Sequence, residues 1–337
     1  MIKFSHIYAM HNVVHVVSAR QGQGAQIGRV PYLGRVKLHG SNASLVCQAD
    51  KLTAQSRNRE INVDDDNHGF ARFAAGEAQS AAVRELEGEL RARNQVAAER
   101  PLILFGEWIG PGVQKGVAIA DLPERQWVLF ALATLDEGAV RKRYLELPKL
   151  GERFAQASIY SIADVQEWRI ELDFGHRASL ELAAGAIEDA TKQVEDRCPW
   201  GARFGIQGIG EGIVWQPLGE LFGDSELLFK SKGDKHQVAR RKDKKKVSID
   251  PALLASIEAF LDFSVTEPRL EQGLEVLREQ GLALEMRSLG AYLKWVAGDI
   301  RRECAAELEH NELEWKQVAR GVNDRAKPFF RKQLKLF

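Results

Sequence analysis

Val36-Lys37-Leu38-His39-Gly40-Ser41-Asn42 is the stretch on which the reading of the fold turns. The preceding residues, Arg29 to Lys37, read as a strand, and His-Gly-Ser-Asn suits a tight turn better than a sheet ladder. Lys37 is therefore expected at a strand end. A lysine becomes a covalent nucleophile once its ammonium gives up a proton, and Gly40 would let the backbone approach a bulky ligand such as a nucleotide phosphate.

Outward from that stretch, His11 to Ala19 is rich in valine and reads as a strand. Leu45-Val46-Cys47 and Lys51 to Ser56 alternate as a hairpin does, with its turn near Ala49-Asp50. Residues 61 to 76 read as a loop, and Glu77 to Ala98 as a helix. Leu102 to Phe105 is a short strand expected to end in the glycine-rich run Gly106 to Gly116, and Trp127 to Leu135 is a buried strand. From Ala178 to Arg197, Leu180, Ala183, Ile187, Ala190 and Val194 recur at helical spacing. Strands are expected again from Glu211 and over Leu227 to Lys232. After Lys246 the pattern is helical throughout, at about 251 to 262, 267 to 280, 287 to 305 and 311 to 335. Ser248-Ile249-Asp250-Pro251 supplies a helix start, and Pro328 a possible kink.

The 337 residues predict two domains, and an apolar content of 45% with 28% charged residues is that of an ordinary folded chain. Cys47, Cys198 and Cys304 encode neither a disulfide framework nor a CxxC zinc site, which fits a cytoplasmic protein. The amino terminus lacks a signal-peptide core and no apolar run is long enough to span a bilayer, so no membrane partner is expected. Net charge is zero, yet residues 230 to 246 hold nine Lys/Arg against two Asp, and residues 325 to 337 hold five Lys/Arg and no acid. Such concentration suits a surface that tracks phosphates, although a solvated linker and helix would show the same charge.

Further charged residues stand where apolar strands begin or end: Glu107 after Leu-Ile-Leu-Phe-Gly, Glu211 before Gly-Ile-Val-Trp, and Lys230 and Lys232 after Leu-Leu-Phe. Lys230 and Lys232 are two apart, so on a strand both side chains share one face and can converge on one phosphate. Glu107 and Glu211 offer oxygens to a ribose hydroxyl or a magnesium ion.

Lys37-Leu38-His39-Gly40-Ser41-Asn42, Ser56-Arg57, Phe105-Gly106-Glu107, Val128-Leu129-Phe130, Glu211-Gly212-Ile213-Val214 and Phe229-Lys230-Ser231-Lys232 resemble, in order and spacing, the successive motifs of the covalent nucleotidyltransferase superfamily. With His39 in place of an aspartate, they look most like the RNA ligase 2 branch, which seals nicks. The resemblance implies an α+β fold: a nucleotidyltransferase (ATP-grasp-like ligase) domain with antiparallel sheets and flanking helices, followed by a small all-helical C-terminal domain. The expected divisions are an adenylyltransferase domain at 1 to 239, a basic linker at 240 to 249 and the helical domain at 250 to 337.

The resemblance also implies roles. Lys37 would attack the α-phosphate of ATP to give lysyl-AMP, with Mg2+ or Mn2+ as the metal and Glu211 binding it. His39 and Asn42 would act around the phosphate and the nick, Leu38 would border the nucleotide, and Arg57 would contact the ribose or the end being joined. Glu107 would bind the ribose, Phe130 would stack on adenine, and Lys230 and Lys232 would hold the α-phosphate. The expected partner is RNA, a nicked duplex or an RNA–DNA hybrid, gripped with the help of the helical domain and touched by Lys115, Arg240, Arg241, Lys242, Lys244 and Lys245. Position 36 is valine where this branch often carries a glutamate that helps read adenine. A DNA ligase, a GTP-using capping guanylyltransferase and an inactive RNA-binding homologue share the pattern, but the first two normally append an OB-fold where helices are expected here.

Overall fold

In the computed structural model, which describes residues 1–94, 96–135, 142–233, 251–311 and 313–334, the chain opens with a two-residue strand, β1 (Tyr8–Ala9), and a helix, α1 (Met10–Gly22). That helix replaces the strand expected from His11 to Ala19. Val13 and Val17, four residues apart, are both fully buried, while His11 and His15 are exposed. Burying one helical face outweighs the few tenths of a kcal/mol by which each valine disfavours a helix, roughly.

The strands β2 (Arg29–Lys37), β3 (Ser41–Gln48) and β4 (Lys51–Ser56) follow, with β3 and β4 forming the expected hairpin and Ala49 in its turn at a φ of 49°. Within the expected loop at 61 to 76 lies a short helix, α2 (Phe70–Ala74). Asp66 starts it, its carboxylate accepting hydrogen bonds from the backbone N–H groups of Ala71 at 2.7 Å and Arg72 at 3.0 Å. The helix α3 (Glu77–Asn94) then leads to β5 (Leu102–Ile109) and β6 (Gln126–Leu135).

The expectation that β5 ends at Phe105 is corrected, because the strand continues through Gly106 and Glu107 to Ile109. Gly106 belongs to the sheet for a tertiary reason: the indole of Trp127 occupies the space a Cβ would need. That indole donates to the Ala43 carbonyl at 3.0 Å, clamping β6 across β5 onto β3. Between Phe105 and Gly106 the pairing with β6 slips, from Phe105 opposite Ala131 to Gly106 opposite Leu129, so Phe130 is the extra residue of a β-bulge.

The remaining elements of this unit are β7 (Lys142–Leu145), α4 (Glu152–Ala155), β8 (Ile159–Ser161), β9 (Glu167–Asp173), α5 (Arg177–Asp196), α6 (Pro199–Arg203), β10 (Gly212–Pro217) and β11 (Phe229–Lys232). Of the strand expected over Leu227 to Lys232 only the last four residues are strand, since Ser225–Leu227 is a 3-10 turn capped by Asp224. Two sheets result: one in the order β1-β11-β10-β2-β9, the other β4-β3-β5-β6-β7 with β8 alongside β6. Pairing is antiparallel except for β1 with β11 and β8 with β6. The helix α5 packs on one face of the first sheet through Ala183, Ile187, Ala190 and Val194.

The chain divides into two units, Met1–Lys235 and His236–Phe337. The expected linker at 240 to 249 lies outside the described residues. The second unit contains α7 (Pro251–Ser264), α8 (Glu267–Glu279), α9 (Leu289–Glu303), α10 (Ala305–His310) and α11 (Trp315–Leu334), close to the expected positions, with α11 running through Pro328. Its core joins Leu274 and Leu277 of α8, Tyr292, Val296 and Ile300 of α9, and Val318, Val322, Ala326 and Phe330 of α11. Among the described residues no helix is long and apolar enough to cross a membrane.

Gly106→Ala is expected to destabilise the protein by about 1–3 kcal/mol, the usual cost of forcing extra volume into a packed core. A lowered midpoint of urea unfolding checks this, and an unchanged midpoint would show that Trp127 can move aside.

Candidate active site

Strand register explains why residues far apart in sequence meet. Lys37, at the end of β2, lies opposite Gly212 on β10, and Gly212 lies opposite Lys232 on β11. In the next row Arg35, Val214 and Lys230 are aligned in the same way. Residues two apart share a face, so these rows carry Arg35, Lys37, Lys230 and Lys232 on one side of the sheet. The intervening row turns the other way: Ser231 bonds to Thr191 of α5 at 2.6 Å, and Val36 is 4% exposed in the core. A side chain at position 36 thus points away from the lysines.

Glu211 immediately precedes β10 and reaches between the two lysines. One carboxylate oxygen accepts from Lys37 Nζ at 2.6 Å and the other lies 2.9 Å from Lys232 Nζ. His39 Nδ1 is 3.5 Å from the oxygen that holds Lys37. The Glu211 side chain is only 2% exposed. Burial opposes its ionisation, but Lys232, Lys37 and then His39 more than offset that cost and hold the carboxyl well below the usual carboxylate range.

Glu107 sits in the other sheet, opposite Asn42 on β3. Its Oε1 accepts the Gly40 N–H at 3.0 Å. Gly40 cannot carry a side chain there, because a Cβ would lie 2.6 Å from Ile109 Cγ2 and 2.9 Å from Glu107 Cγ. The expected close approach at Gly40 is thus to the protein's own β5 strand. Glu107 is half-buried, yet protein surrounds it closely enough that loss of water pushes its pKa from 4.5 to about 7; Lys37, the Gly40 N–H and His39 act in the opposite direction, while Glu211 adds to the rise. Two carboxylates near one lysine therefore titrate far apart.

Other predicted residues divide by position. Alternation along β5 puts Ile103, Phe105 and Glu107 on one face, where Phe130 also packs. The bulge sets the Phe130 ring edge-on to Phe4, with centroids 4.9 Å apart. Arg57 is exposed just past β4, and Lys115 is exposed in the loop after β5. The Leu38 side chain is 6% exposed within the core, so its backbone is what it offers a ligand. Arg240, Arg241, Lys242, Lys244 and Lys245 lie outside the described residues. Among those described, no group of three His, Cys, Asp or Glu side chains is arranged to hold a metal.

The sequence profile of the family described as RNA ligase matches residues 30–232, the span that contains all these strand ends. The chain belongs to the RNA ligase family. It is also similar to solved structures of Naegleria gruberi RNA ligase. A mutant with AMP and Mn shares 20% identity over 70% of this chain and 57% of that one, at a TM-score of 0.40. A mutant with ATP and Mn gives 19%, 70%, 58% and 0.41, and the ligase with PPi 20%, 70%, 57% and 0.39. This chain spans less than two thirds of the length of those ligases.

Three supporting residues escaped the reading of the sequence. Gln114 Nε2 donates to the Gly40 carbonyl at 3.4 Å, folding the loop after β5 over the lysine turn. Asn67 Nδ2 donates to Ser41 Oγ at 2.8 Å, and Phe4 braces Phe130. Only Gln114 had a signal, its place in the glycine-rich run.

A sign follows for Glu107. Between pH 4.5 and about 7 the folded state keeps a proton that the unfolded state has lost, so stability falls as pH rises through that window, by up to about 3 kcal/mol. Glu107→Gln is expected to remove this component, flattening the urea midpoint from about pH 5 to 8. A variant with the wild-type pH profile would contradict it. Glu211 titrates below that window, where its stabilising contribution is lost as the pH falls.

Proposed function

We propose that this protein is an ATP-dependent RNA ligase that joins 3′-OH and 5′-phosphate ends, at nicks in duplexes, through a lysyl-AMP intermediate and an adenylylated RNA 5′ end. The observation that carries this reading is the ionised Glu211 carboxylate, held between Lys37 at 2.6 Å and Lys232 at 2.9 Å at the ends of three neighbouring interior strands.

In the first step Lys37 Nζ, having released its proton, forms a bond to the α-phosphorus of ATP while the bond to the bridging oxygen breaks and pyrophosphate leaves. Glu211 fixes where Nζ sits, and its low proton affinity makes it a holder of the ammonium rather than a store for the proton. Lys232 and Lys230 lie where two cations can meet negative charge building on the α-phosphate oxygens, the kind of pre-set charge that stabilises such transition states. In the second step the RNA 5′-phosphate takes AMP from Lys37, and in the third the 3′-hydroxyl displaces AMP to close the backbone.

Glu107, with its raised pKa, is suited to hydrogen-bond a ribose hydroxyl as acceptor or as donor. Phe130 offers a ring to adenine, while His39, Asn42 and Arg57 border the phosphate and the nick. A divalent ion fits this donor set, because Mg2+ commonly uses one or two carboxylates together with substrate phosphates and Glu211 is ionised. When bound, Mg2+ or Mn2+ offsets charge on the phosphates.

The experiment is a sealing assay with ATP on nicked duplexes whose 3′-hydroxyl strand is RNA or DNA. Sealing is expected with RNA at the nick, and Lys232→Met is expected to slow it by on the order of 10²–10³-fold. Equal sealing of all-DNA nicks would point to a DNA ligase, and no sealing of any substrate would overturn the reading.

A further inference from the structure

The second unit carries charge that the lysine chemistry does not use. Along α11, Val318, Val322, Ala326 and Phe330 are the buried face. At about 100° per residue, Lys316, Arg320, Lys327 and Arg331 fall within an arc of about 60° on the exposed side, along about 22 Å of helix. Lys316 is 78% exposed and Arg320 91%. Arg325 is turned elsewhere, its guanidinium paired with Asp262 at 2.7 Å and Glu258 at 2.5 Å on α7.

Two acids border the stripe, and the first, Glu314, has a carboxylate oxygen 2.6 Å from Lys316 Nζ. Asp324 lies beside the arc, about 20° beyond its edge, 3.6 Å from Arg320 and 4.0 Å from Lys327. Such exposed pairs are weak, on the order of 0.3–0.5 kcal/mol, so a polyanion can displace them. The helix α8 has the opposite character, with Glu267, Glu271, Glu275 and Glu279 spaced four apart on one side. A polyanion is drawn to the basic side of α11.

We infer that the exposed face of α11 formed by Lys316, Arg320, Lys327 and Arg331 is a sequence-independent contact for the phosphate backbone of duplex RNA. The inference rests on RNA being the substrate. The fit is one of charge and repeat: a duplex presents closely spaced phosphates along its length, and cations spread over several turns of one helix can neutralise a run of them, releasing counterions. A lysine– or arginine–phosphate contact at each position specifies no base, which suits an enzyme that must accept many sequences.

The test uses the full-length protein and a fluorescent nicked RNA duplex, with binding measured by anisotropy across a salt series. Replacing Lys316, Arg320, Lys327 and Arg331 together by Gln is expected to weaken binding by about 10²-fold near 0.15 M salt and to reduce the slope of log K against log salt by about 3–4. Asp324→Asn is expected to act in the opposite direction, tightening binding and steepening the slope, an outcome that damage to the fold would not imitate. The inference is overturned if the fourfold variant, with a wild-type melting curve, binds with unchanged affinity and slope, or if Asp324→Asn changes neither. Wild-type protein that binds duplex through this face without sealing it would fail the ligase reading and leave this surface standing.

Discussion

A carboxylate buried between two ammonium groups is the constraint on which the first unit depends. Glu211 without its partners would be a nearly inaccessible charge in a core, a cost of several kcal/mol, roughly, that no fold of ordinary stability carries unpaired. The ion pairs to Lys37 and Lys232 resolve it, and they do so only if β2, β10 and β11 are in register around Gly212. Charge pairing and register are thereby tied: a slip of one residue in β2 or β11 would turn a lysine toward α5 and leave Glu211 with a single ammonium partner. The other carboxylate, Glu107, is positioned independently by the second sheet and tethers the turn after Lys37 through Gly40. Lys37 thus lies where two sheets each contribute one acid, one held ionised and one inclined to keep its proton.

Much of this was legible in the sequence because it rests on short-range periodicity. Lysines two apart on a strand must share a face, a polar turn must follow Lys37, and Glu211 stands where an apolar strand begins, whereas Glu107 lies inside β5. Where the reading failed, the cause was tertiary. Val13 and Val17 look like strand residues until a core is available to bury one side of a helix. Gly106 looks like a chain breaker until Trp127 is seen to occupy its missing side chain, and Gly40 looks open to a ligand until β5 is found against it. Phe130 was identified as a ring, but its position on a bulge, braced by Phe4, follows from a pairing slip that no single strand encodes.

Residues 30–232 carry the family match and, in the proposed reading, the chemistry. The helical unit has its own core and charge pattern, and its contribution is better read from electrostatics than from motif. Catalysis built on fixed charges at strand ends needs little from loops, whereas grip on a long polyanion needs cations spread over a distance, the arrangement proposed for the exposed side of α11.

The central claim is that Lys37 is the atom donor of the covalent intermediate. Its most direct test is to incubate the protein with ATP and Mg2+, digest it, and locate the adduct by peptide mass spectrometry under conditions that preserve a phosphoramidate. The account predicts one AMP on the peptide containing Lys37, with no adduct on Lys37→Ala. An AMP found on Lys230 or Lys232, or an adduct that persists in Lys37→Ala, would contradict it.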